Sequence, residues 1–349
     1  MFSCSLRVLG QIFGSVEQAY QWAKCWLSED DNARKEVQGM SDDPKGCKRR
    51  CKMNNLNWKI NPRLWHASKY LIMLSLQISK YRQNENLLQK LLATGDAWLL
   101  EASPYDAEWG CRMGKEDLRR YLQRSDSGLP GDNIMGNILM EVRAYFRGNN
   151  PFPASLLVAD SQGREMNPSD TMAVVSLPGA KIQVIFKVLR LACHEGYQAG
   201  IVFGGTNNVV QKVSDGQVNS FKVGAFKAIF SQFEKQTKRF LEENTQQALA
   251  VVDVPPRFGG SFVQEAKKVI NRLNNALANL CNQQNRNHRP INRFILIKVN
   301  LALQDPKFFK VGRHGHVDIH LNAEGLNVVS NQISEAFRRV YSSAERPGS

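Results

Sequence analysis

Ser15-Val16-Glu17-Gln18-Ala19-Tyr20-Gln21-Trp22-Ala23-Lys24-Cys25-Trp26 is the stretch around which the first half of this chain is organised. Ser15 stands ahead of a helical run, where its hydroxyl can accept from an orphan amide of the first turn. Wound as a helix, Glu17, Gln21 and Lys24 fall at i, i+4 and i+7 and project from one face. Val16, Tyr20 and Ala23 form a neighbouring apolar stripe that can hold that face against a core. A carboxylate and an amine aligned in this way make either a surface ion pair or the acid–base apparatus of a site. Spacing alone favours the surface pair, which is common and weak.

Working outward, residues 6–13 read as an extended hairpin with Gly10 at the turn. A polar break follows at Ser28–Asp31. Asn61-Pro62 opens a strongly apolar helix through Trp65, Leu71, Ile72, Leu74, Leu76 and Ile78. Asn86–Ala93 predicts a short amphipathic helix stopped by Thr94-Gly95. Trp98–Ala102 predicts a strand leading into the turn-rich Ser103-Pro104-Tyr105-Asp106. Asp132–Arg147 closes the half as a helix.

The 349 residues suffice for two domains, and 42% apolar with 22% charged residues is a folded composition. No apolar run reaches the ~18 residues of a membrane span, and no secretory signal is read at Met1–Arg7. The expectation is a protein of the cytoplasm or nucleus with no membrane partner. Seven dispersed cysteines predict reduced thiols. Cys47 and Cys51 lack companions for a four-ligand zinc site, so neither metal nor cofactor is expected. Net charge is +14, spread over both halves. Its one dense patch, Lys45-Gly46-Cys47-Lys48-Arg49-Arg50-Cys51-Lys52, reads equally as a solvated loop or helix end and as a binder of phosphates on a nucleotide or nucleic acid.

Five motifs in order carry a family resemblance. They are Ser15-Val16-Glu17-Gln18 with Gln21 and Lys24; Lys80-Tyr81-Arg82-Gln83-Asn84; Leu91-Leu92-Ala93-Thr94-Gly95; Glu101-Ala102-Ser103-Pro104-Tyr105-Asp106-Ala107-Glu108-Trp109-Gly110; and Asn133-Ile134-Met135-Gly136-Asn137-Ile138-Leu139-Met140-Glu141-Val142-Arg143. Together residues 4–147 resemble the NADAR (YbiA-like) family. The resemblance implies a mainly helical domain that hydrolyses N-glycosidic bonds at ribose. It implies as substrate an ADP-ribose- or phosphoribosyl-containing small molecule, or a nucleic acid so modified. Such cleavage needs a group to protonate or stabilise the departing nitrogen and one to meet charge developing at C1′. Glu17, Lys24 and Asp106 supply titratable groups: Glu17 or Asp106 as acid–base, Lys24 on ribose or phosphate, with a Lys24 imine as the alternative. Trp109 offers a plane for a base, or fills core. Gln21 and Gly110 join it as substrate-binding positions. Asn133 reads equally as a binding residue and, with Gly136, as a helix-cap and close-contact residue. Family members usually open with an F-S-N-F-like segment that adds an Asn to the pocket. Met1-Phe2-Ser3-Cys4 lacks it, so the expectation is a chain truncated upstream or a pocket without that amide.

Gly148–Pro153 reads as a linker. Beyond it, apolar runs at Leu156–Val158, Ile201–Phe203, Ala248–Val252 and Phe294–Val299 alternate with predicted helices at Lys181–Ala192, Phe221–Glu243, Phe262–Leu280 and Val328–Val340. Buried strands alternating with helices predict a parallel sheet covered on both faces, with sites at the strand ends. Ala159-Asp160-Ser161, Leu177-Pro178-Gly179, Gly204-Gly205-Thr206-Asn207-Asn208 and Asp318-Ile319-His320 stand in an order that resembles an SGNH (GDSL-type) hydrolase. The resemblance implies Ser161 as nucleophile, His320 as its base, and Gly179 and Asn207 at the oxyanion. Ala159 replaces the usual Gly and Asn208 the usual Asp. Val317 stands where the family places an Asp three residues before the His, and Asp318 lies only two before. His314 and His316 read as loop residues rather than metal ligands.

The expected organisation is thus two domains: a mainly α NADAR-like domain at 1–148, a linker at 149–154, an α/β three-layer (flavodoxin-like) SGNH-like domain at 155–341, and a disordered tail at 342–349. The expected function is a ribosyl N-glycosidase, a hydrolase. The alternatives are an SGNH serine esterase, or a catalytically decayed binder of nucleotides or nucleic acid through its basic surface.

Overall fold

A computed structural model describes residues 4–40, 43–54, 57–124, 128–215, 218–258, 262–287, 294–311 and 317–344. The chain forms two units, residues 1–60 with 69–152 and residues 61–68 with 153–349.

The first unit opens with a hairpin, β1 (Leu6–Val8) and β2 (Gln11–Phe13), turning through Leu9 and Gly10 at positive φ. Helix α1 (Val16–Leu27) follows, N-capped by Ser15, whose hydroxyl accepts from Gln18 N at 3.2 Å. The polar break is followed by α2 (Asp31–Gln38), which the sequence pattern left unassigned, and by α3 (Pro44–Asn54). The basic stretch 45–52 is therefore a helix. It buries Cys47 and Cys51, one turn apart, against the Met40 sulfur, while Lys45, Lys48, Arg49, Arg50 and Lys52 stay exposed. Helices α4 (Pro62–Gln83), α5 (Glu85–Leu92), α6 (Lys115–Arg124) and α7 (Ile134–Phe146) complete the helical set.

The strand expected at Trp98–Ala102 does not form. Its backbone bonds go instead to a side chain and a turn: Glu101 N donates to Asn133 Oδ1 at 2.9 Å and Cys111 N to Glu101 O at 2.9 Å. The 98–114 segment is an irregular loop laid over the start of α7.

The second unit is built on five parallel strands: β3 (Ser155–Ala159), β4 (Met172–Ser176), β5 (Ala199–Phe203), β8 (Ala248–Val252) and β9 (Phe294–Ile297), in spatial order β4-β3-β5-β8-β9. Leu157 pairs with Val174 on one side and Ile201 on the other. Residues 156–159, 201–203 and 249–252 are fully buried, as unbroken apolar strands require when both faces are covered. Helices α8 (Ile182–Ala192) and α10 (Phe226–Glu243) cover one face, meeting at Gly200, where an added Cβ would lie 3.0 Å from both Leu189 and Phe240. Helix α12 (Ala323–Ala344) supplies Leu326, Val329 and Ile333 to the other. It runs to Ala344, beyond the expected boundary at 341.

Between β5 and α10 stand a one-turn helix α9 (Thr206–Val209) and an antiparallel hairpin, β6 (Val210–Asp215) and β7 (Val218–Val223). Phe221 is thus strand rather than helix, and α10 starts only after Gly224, whose amide donates to Val209 O at 2.8 Å. Helix α11 (Val263–Asn287) lies against β9. The last strands, β10 (Phe309–Val311) and β11 (Val317–Leu321), pair antiparallel, and His320 sits inside β11. His314 and His316 lie outside the described residues. No helix among the described residues is long and apolar enough to cross a membrane.

The ends of β8 and β9 are locked by Asp253, whose Oδ1 accepts from Val299 N and Asn300 N, each at 2.8 Å. Burial pushes this carboxyl up to about 6, against those two bonds and the Lys298 charge. A raised carboxyl contributes stability that is complete below its unfolded pKa and lost as pH rises through about 6. Asp253→Asn, which keeps an acceptor for both amides, is expected to unfold at higher denaturant than wild type above that pH, by roughly 1–3 kcal/mol. The difference is expected to close near pH 4, and urea titrations across that range measure it.

Candidate functional sites

Helix α1 is buried almost all round; Gln21, Lys24 and Trp26 are its half-buried positions. Glu17 is only 9% exposed, and its Oε1 accepts from Gln21 Nε2 at 2.9 Å. The surface ion pair that the spacing alone favoured is therefore replaced by a buried carboxyl held by an amide. Burial raises the Glu17 pKa; the Gln21 bond and the charges of Lys48 and Lys24 oppose this, and Asp106 adds to it. Burial likewise pulls the Lys24 ammonium below its ordinary range. Two carboxylates and two amines thus act on one another across α1, α3 and the 98–114 loop.

The loop places Asp106 by a bond to one oxygen, and the other faces a lysine of α3. Oδ1 accepts from Trp109 N at 2.9 Å, and Oδ2 lies 3.7 Å from Lys48 Nζ. Trp109 meets Tyr20 of α1 edge-on, ring centres 5.7 Å apart. Gly110 is required by space: a Cβ there would stand 2.9 Å from Glu101 O and from Ser103 Cβ. Glu108 forms an ion pair with Lys69. Glu17, Gln21, Lys24, Asp106 and Trp109 therefore belong to one neighbourhood, and Lys48 and Tyr20 are members that the motifs did not mark.

Other motif residues build the frame. Asn133, at φ 50°, accepts from Glu101 N through Oδ1 and donates through Nδ2 to Leu99 O at 2.9 Å. Its amide works as a strut of the loop. Gly136 admits Leu99 O, which would stand 2.0 Å from a Cβ. The buried Arg143 donates to Thr94 Oγ1 and Ala97 O at 2.7 and 2.9 Å, joining two motifs. Gln83 brackets the backbone of Arg7 with bonds of 2.7 and 2.9 Å, which fixes the hairpin. Gln18 Nε2 reaches the carbonyls of Val37, Gln38 and Met40 at the end of α2.

In the second unit Ser161 begins a 3-10 turn directly after β3. Its Oγ lies 3.2 Å from His320 Nε2. Asp160, fully buried, accepts from Gln162 N at 2.9 Å and from Thr206 Oγ1 at 2.7 Å. Burial raises its pKa, against those bonds and the His320 charge. Asn207 Nδ2 donates to Ala180 O at 3.1 Å and approaches Asp160 Oδ2 at 3.5 Å. That ties the turn bearing Gly179, at φ +80°, to the Ser161 loop. Asn208, the replacement for an Asp, accepts from Ile182 N at 2.8 Å and so caps α8. The side chains of Val317 and Asp318 lie outside what the structure describes.

Gln162 is a residue that the sequence gave no reason to choose. Its Nε2 donates to Ile319 O at 2.8 Å and its Oε1 accepts from Leu321 N at 3.3 Å. One amide, adjacent to Ser161, thus grips β11 on both sides of His320. Among the described residues, no group of three His, Cys, Asp or Glu side chains is placed to hold a metal, and the seven cysteines are free thiols.

An N-glycosidase of Acanthamoeba polyphaga mimivirus is 31% identical over 100 residues, 28% of this chain and 57% of that protein. An N-glycosidase of Nostoc punctiforme is 32% identical over 83 residues, 24% of this chain and 44% of that protein. The chain spans about half the length of these curated relatives. Among solved structures, a member of the lipolytic G-D-S-L family from Veillonella parvula matches at 12% identity and a TM-score of 0.38, covering 53% of this chain and 98% of that one. Residues 4–147 match the family model of the NADAR domain.

Proposed function

We propose that the first unit is a ribosyl N-glycosidase acting on an ADP-ribose- or phosphoribosyl-bearing substrate, free or on nucleic acid. The observation that carries this reading is the buried Glu17 carboxyl, held by Gln21 in the field of Lys24, Lys48 and Asp106. The curated relatives named N-glycosidases support it. We assign domains at 1–148 and 155–341, joined by 149–154, the first mainly helical and the second a flavodoxin-like three-layer fold.

The chemistry follows from charge. Breaking the C1′–N bond leaves its electron pair on nitrogen and positive charge on the ribose. A carboxyl whose pKa is raised keeps its proton to higher pH and can give it to the departing nitrogen. Water then attacks C1′ and returns a proton to Glu17, which restores the starting state. Asp106 faces the developing positive charge and orients Trp109, whose ring stacks on the base. Lys24 and Lys48 meet phosphate or ribose oxygens, and the exposed cations of α3 extend that anion-binding rim.

A second reading rests on a different observation, the 3.2 Å approach of Ser161 Oγ to His320 Nε2. That pair is the nucleophile and base of an acyl-transfer site, with Asn207 beside it. On this reading the second unit is a serine esterase and Gln162 positions the base.

Two experiments test these assignments. Wild type is expected to release ADP-ribose from an ADP-ribosylated oligonucleotide, or free base from a phosphoribosylated pyrimidine. Glu17→Gln is expected to lose a factor on the order of 10²–10⁴ in rate, the size of a general-acid contribution. The wild-type rate is expected to fall as pH rises through the elevated Glu17 pKa, because the protonated form is the active one. Above that pH the Glu17→Gln protein is expected to be the more stable, since it no longer buries a charge. An undiminished variant rate rejects Glu17 as the acid. For the second unit, Ser161→Ala is expected to abolish hydrolysis of p-nitrophenyl acetate. Gln162→Ala is expected to lower kcat by on the order of 10²-fold with little change in KM, the cost of a loosened base.

A further inference from the structure

Three sulfur atoms of the first unit converge beneath α3. Cys47 and Cys51 stand one turn apart on its inner face, 1% and 2% exposed, and Met40, 6% exposed, lies just past the end of α2. Cys47 Sγ lies 3.9 Å from Cys51 Sγ and 3.9 Å from Met40 Sδ, and Cys51 Sγ lies 3.7 Å from the same thioether. The three atoms thus form a nearly equilateral triangle. Its centre is about 2.2 Å from each corner, close to the ~2.3 Å of a first-row metal–thiolate bond.

The backbone that presents these sulfurs is fixed by bonds of its own. Met40 N donates to Val37 O at 3.2 Å, and Met40 O accepts from Gln18 Nε2 at 3.1 Å. The start of α3 is capped by Asp43, whose carboxylate accepts from Lys45 N at 3.1 Å and from Gly46 N at 2.8 Å. A donor set held on such supports is organised before a ligand arrives. Both cysteines are free thiols.

We propose that Met40, Cys47 and Cys51 form a three-coordinate site for a soft monovalent cation, copper(I). The donor set decides the ion. Two thiolates and a thioether favour a soft ion over the hard ions that seek oxygen. Structural zinc takes four ligands, and among the described residues no His, Asp, Glu or third Cys is placed to complete Cys47 and Cys51. Copper(I) is satisfied by three sulfurs in a plane, and burial keeps competing water from the centre. Binding sends both thiol protons to solvent and leaves two thiolates, one thioether and one cation, with one net negative charge. The Lys24 ammonium of α1 interacts with the Cys51 sulfur and offsets part of that charge. Bound there, the ion ties α3 to the end of α2 from beneath, while the cations of the outer face stay exposed. The site is independent of turnover in either unit.

The test titrates the reduced full chain with copper(I) under anaerobic conditions, in competition with bicinchoninate, and reads the bound ion by X-ray absorption. Wild type is expected to hold one equivalent with three sulfurs at about 2.2–2.3 Å, and to melt at higher temperature when loaded. Met40→Leu conserves volume and removes the thioether, so it is expected to fold as wild type does. It is expected to bind copper(I) at least about 10-fold more weakly, since loss of even an outer-shell partner costs that much, and to show two sulfurs in place of three. Cys51→Ser is expected to lose the tight equivalent, and Cys281→Ser to keep it. Wild type without a tight equivalent, oxygen or nitrogen donors in its spectrum, or undiminished affinity in Met40→Leu overturns the assignment; the three sulfurs are then core packing alone. The wild-type spectrum and Met40→Leu decide the matter even where Cys51→Ser fails to fold.

Discussion

Four consecutive backbone amides at the start of α7 point out of the helix with no carbonyl of their own to meet. The 98–114 loop answers them one by one. Asp132 N donates to Ala107 O at 2.7 Å, Asn133 N to Gly110 O at 3.2 Å, Ile134 N to Glu108 O at 3.2 Å and Met135 N to Trp109 O at 3.0 Å. Helix starts leave such orphan donors everywhere, and most are met by a side chain or by water. Meeting them with the carbonyls of 107–110 fixes the path of the segment that carries Asp106 and Trp109. Two of those carbonyls can approach only because Gly131 has no Cβ, which would stand 2.4 Å from Gly110 O and 2.9 Å from Ala107 O, and Asn133 accepts a left-handed backbone while its amide holds Leu99 and Glu101. An irregular loop thereby acquires the rigidity of the helix it covers, which a site of charged groups needs.

This explains which parts of the molecule were legible in the sequence. The period of α1 and the unbroken apolar runs of β3, β5 and β8 declare themselves, because their side chains repeat with the backbone. Edge strand β4 does not: it is as long as they are but partly exposed and flanked by polar residues. The end of β7, from Phe221 to Val223, reads as part of the helix that follows it, since Phe221 fits either pattern. The 98–102 segment contains strand-forming residues, but its hydrogen bonds are claimed by Asn133 and a turn, a tertiary arrangement that local propensity cannot report. At the sites, motif matching found Glu17, Lys24, Asp106 and Trp109 together with struts such as Asn133, and offered no means of separating the two kinds. Lys48 was visible only as part of a basic patch. Gln162 was invisible, because its partners, Ile319 and Leu321, lie 157 and 159 positions away.

The two units use one electrostatic device for different ends. Each buries a carboxyl, Glu17 in one and Asp160 in the other, and burial raises the pKa of both. Asp160 is surrounded by donors, from Gln162 N, Thr206 and Asn207, that leave it little to offer a substrate. Its work is to tie the Ser161 turn to the 206–207 loop. Glu17 has one amide partner and stands among ionisable groups of both signs. A buried carboxyl saturated with fixed donors is a structural element, whereas one facing other ionisable groups can exchange a proton.

That difference bears on the basic helix. Cys47 and Cys51 hold α3 from beneath, packing on Met40, so the helix is fixed by its thiols rather than by its charges. Its cations are therefore free of structural duty, and Lys48 alone leans inward, toward Asp106. An amine at 3.7 Å with half its side chain exposed contributes little to stability. Its effect on Glu17 is of another kind. It favours the ionised carboxylate, opposing the burial that favours the acid. A substrate phosphate that drew Lys48 away from this neighbourhood would shift the balance toward the protonated acid at the moment of binding. On the glycosidase reading proposed above, an anion met by α3 and the proton held by Glu17 would in this way be coupled through a single lysine.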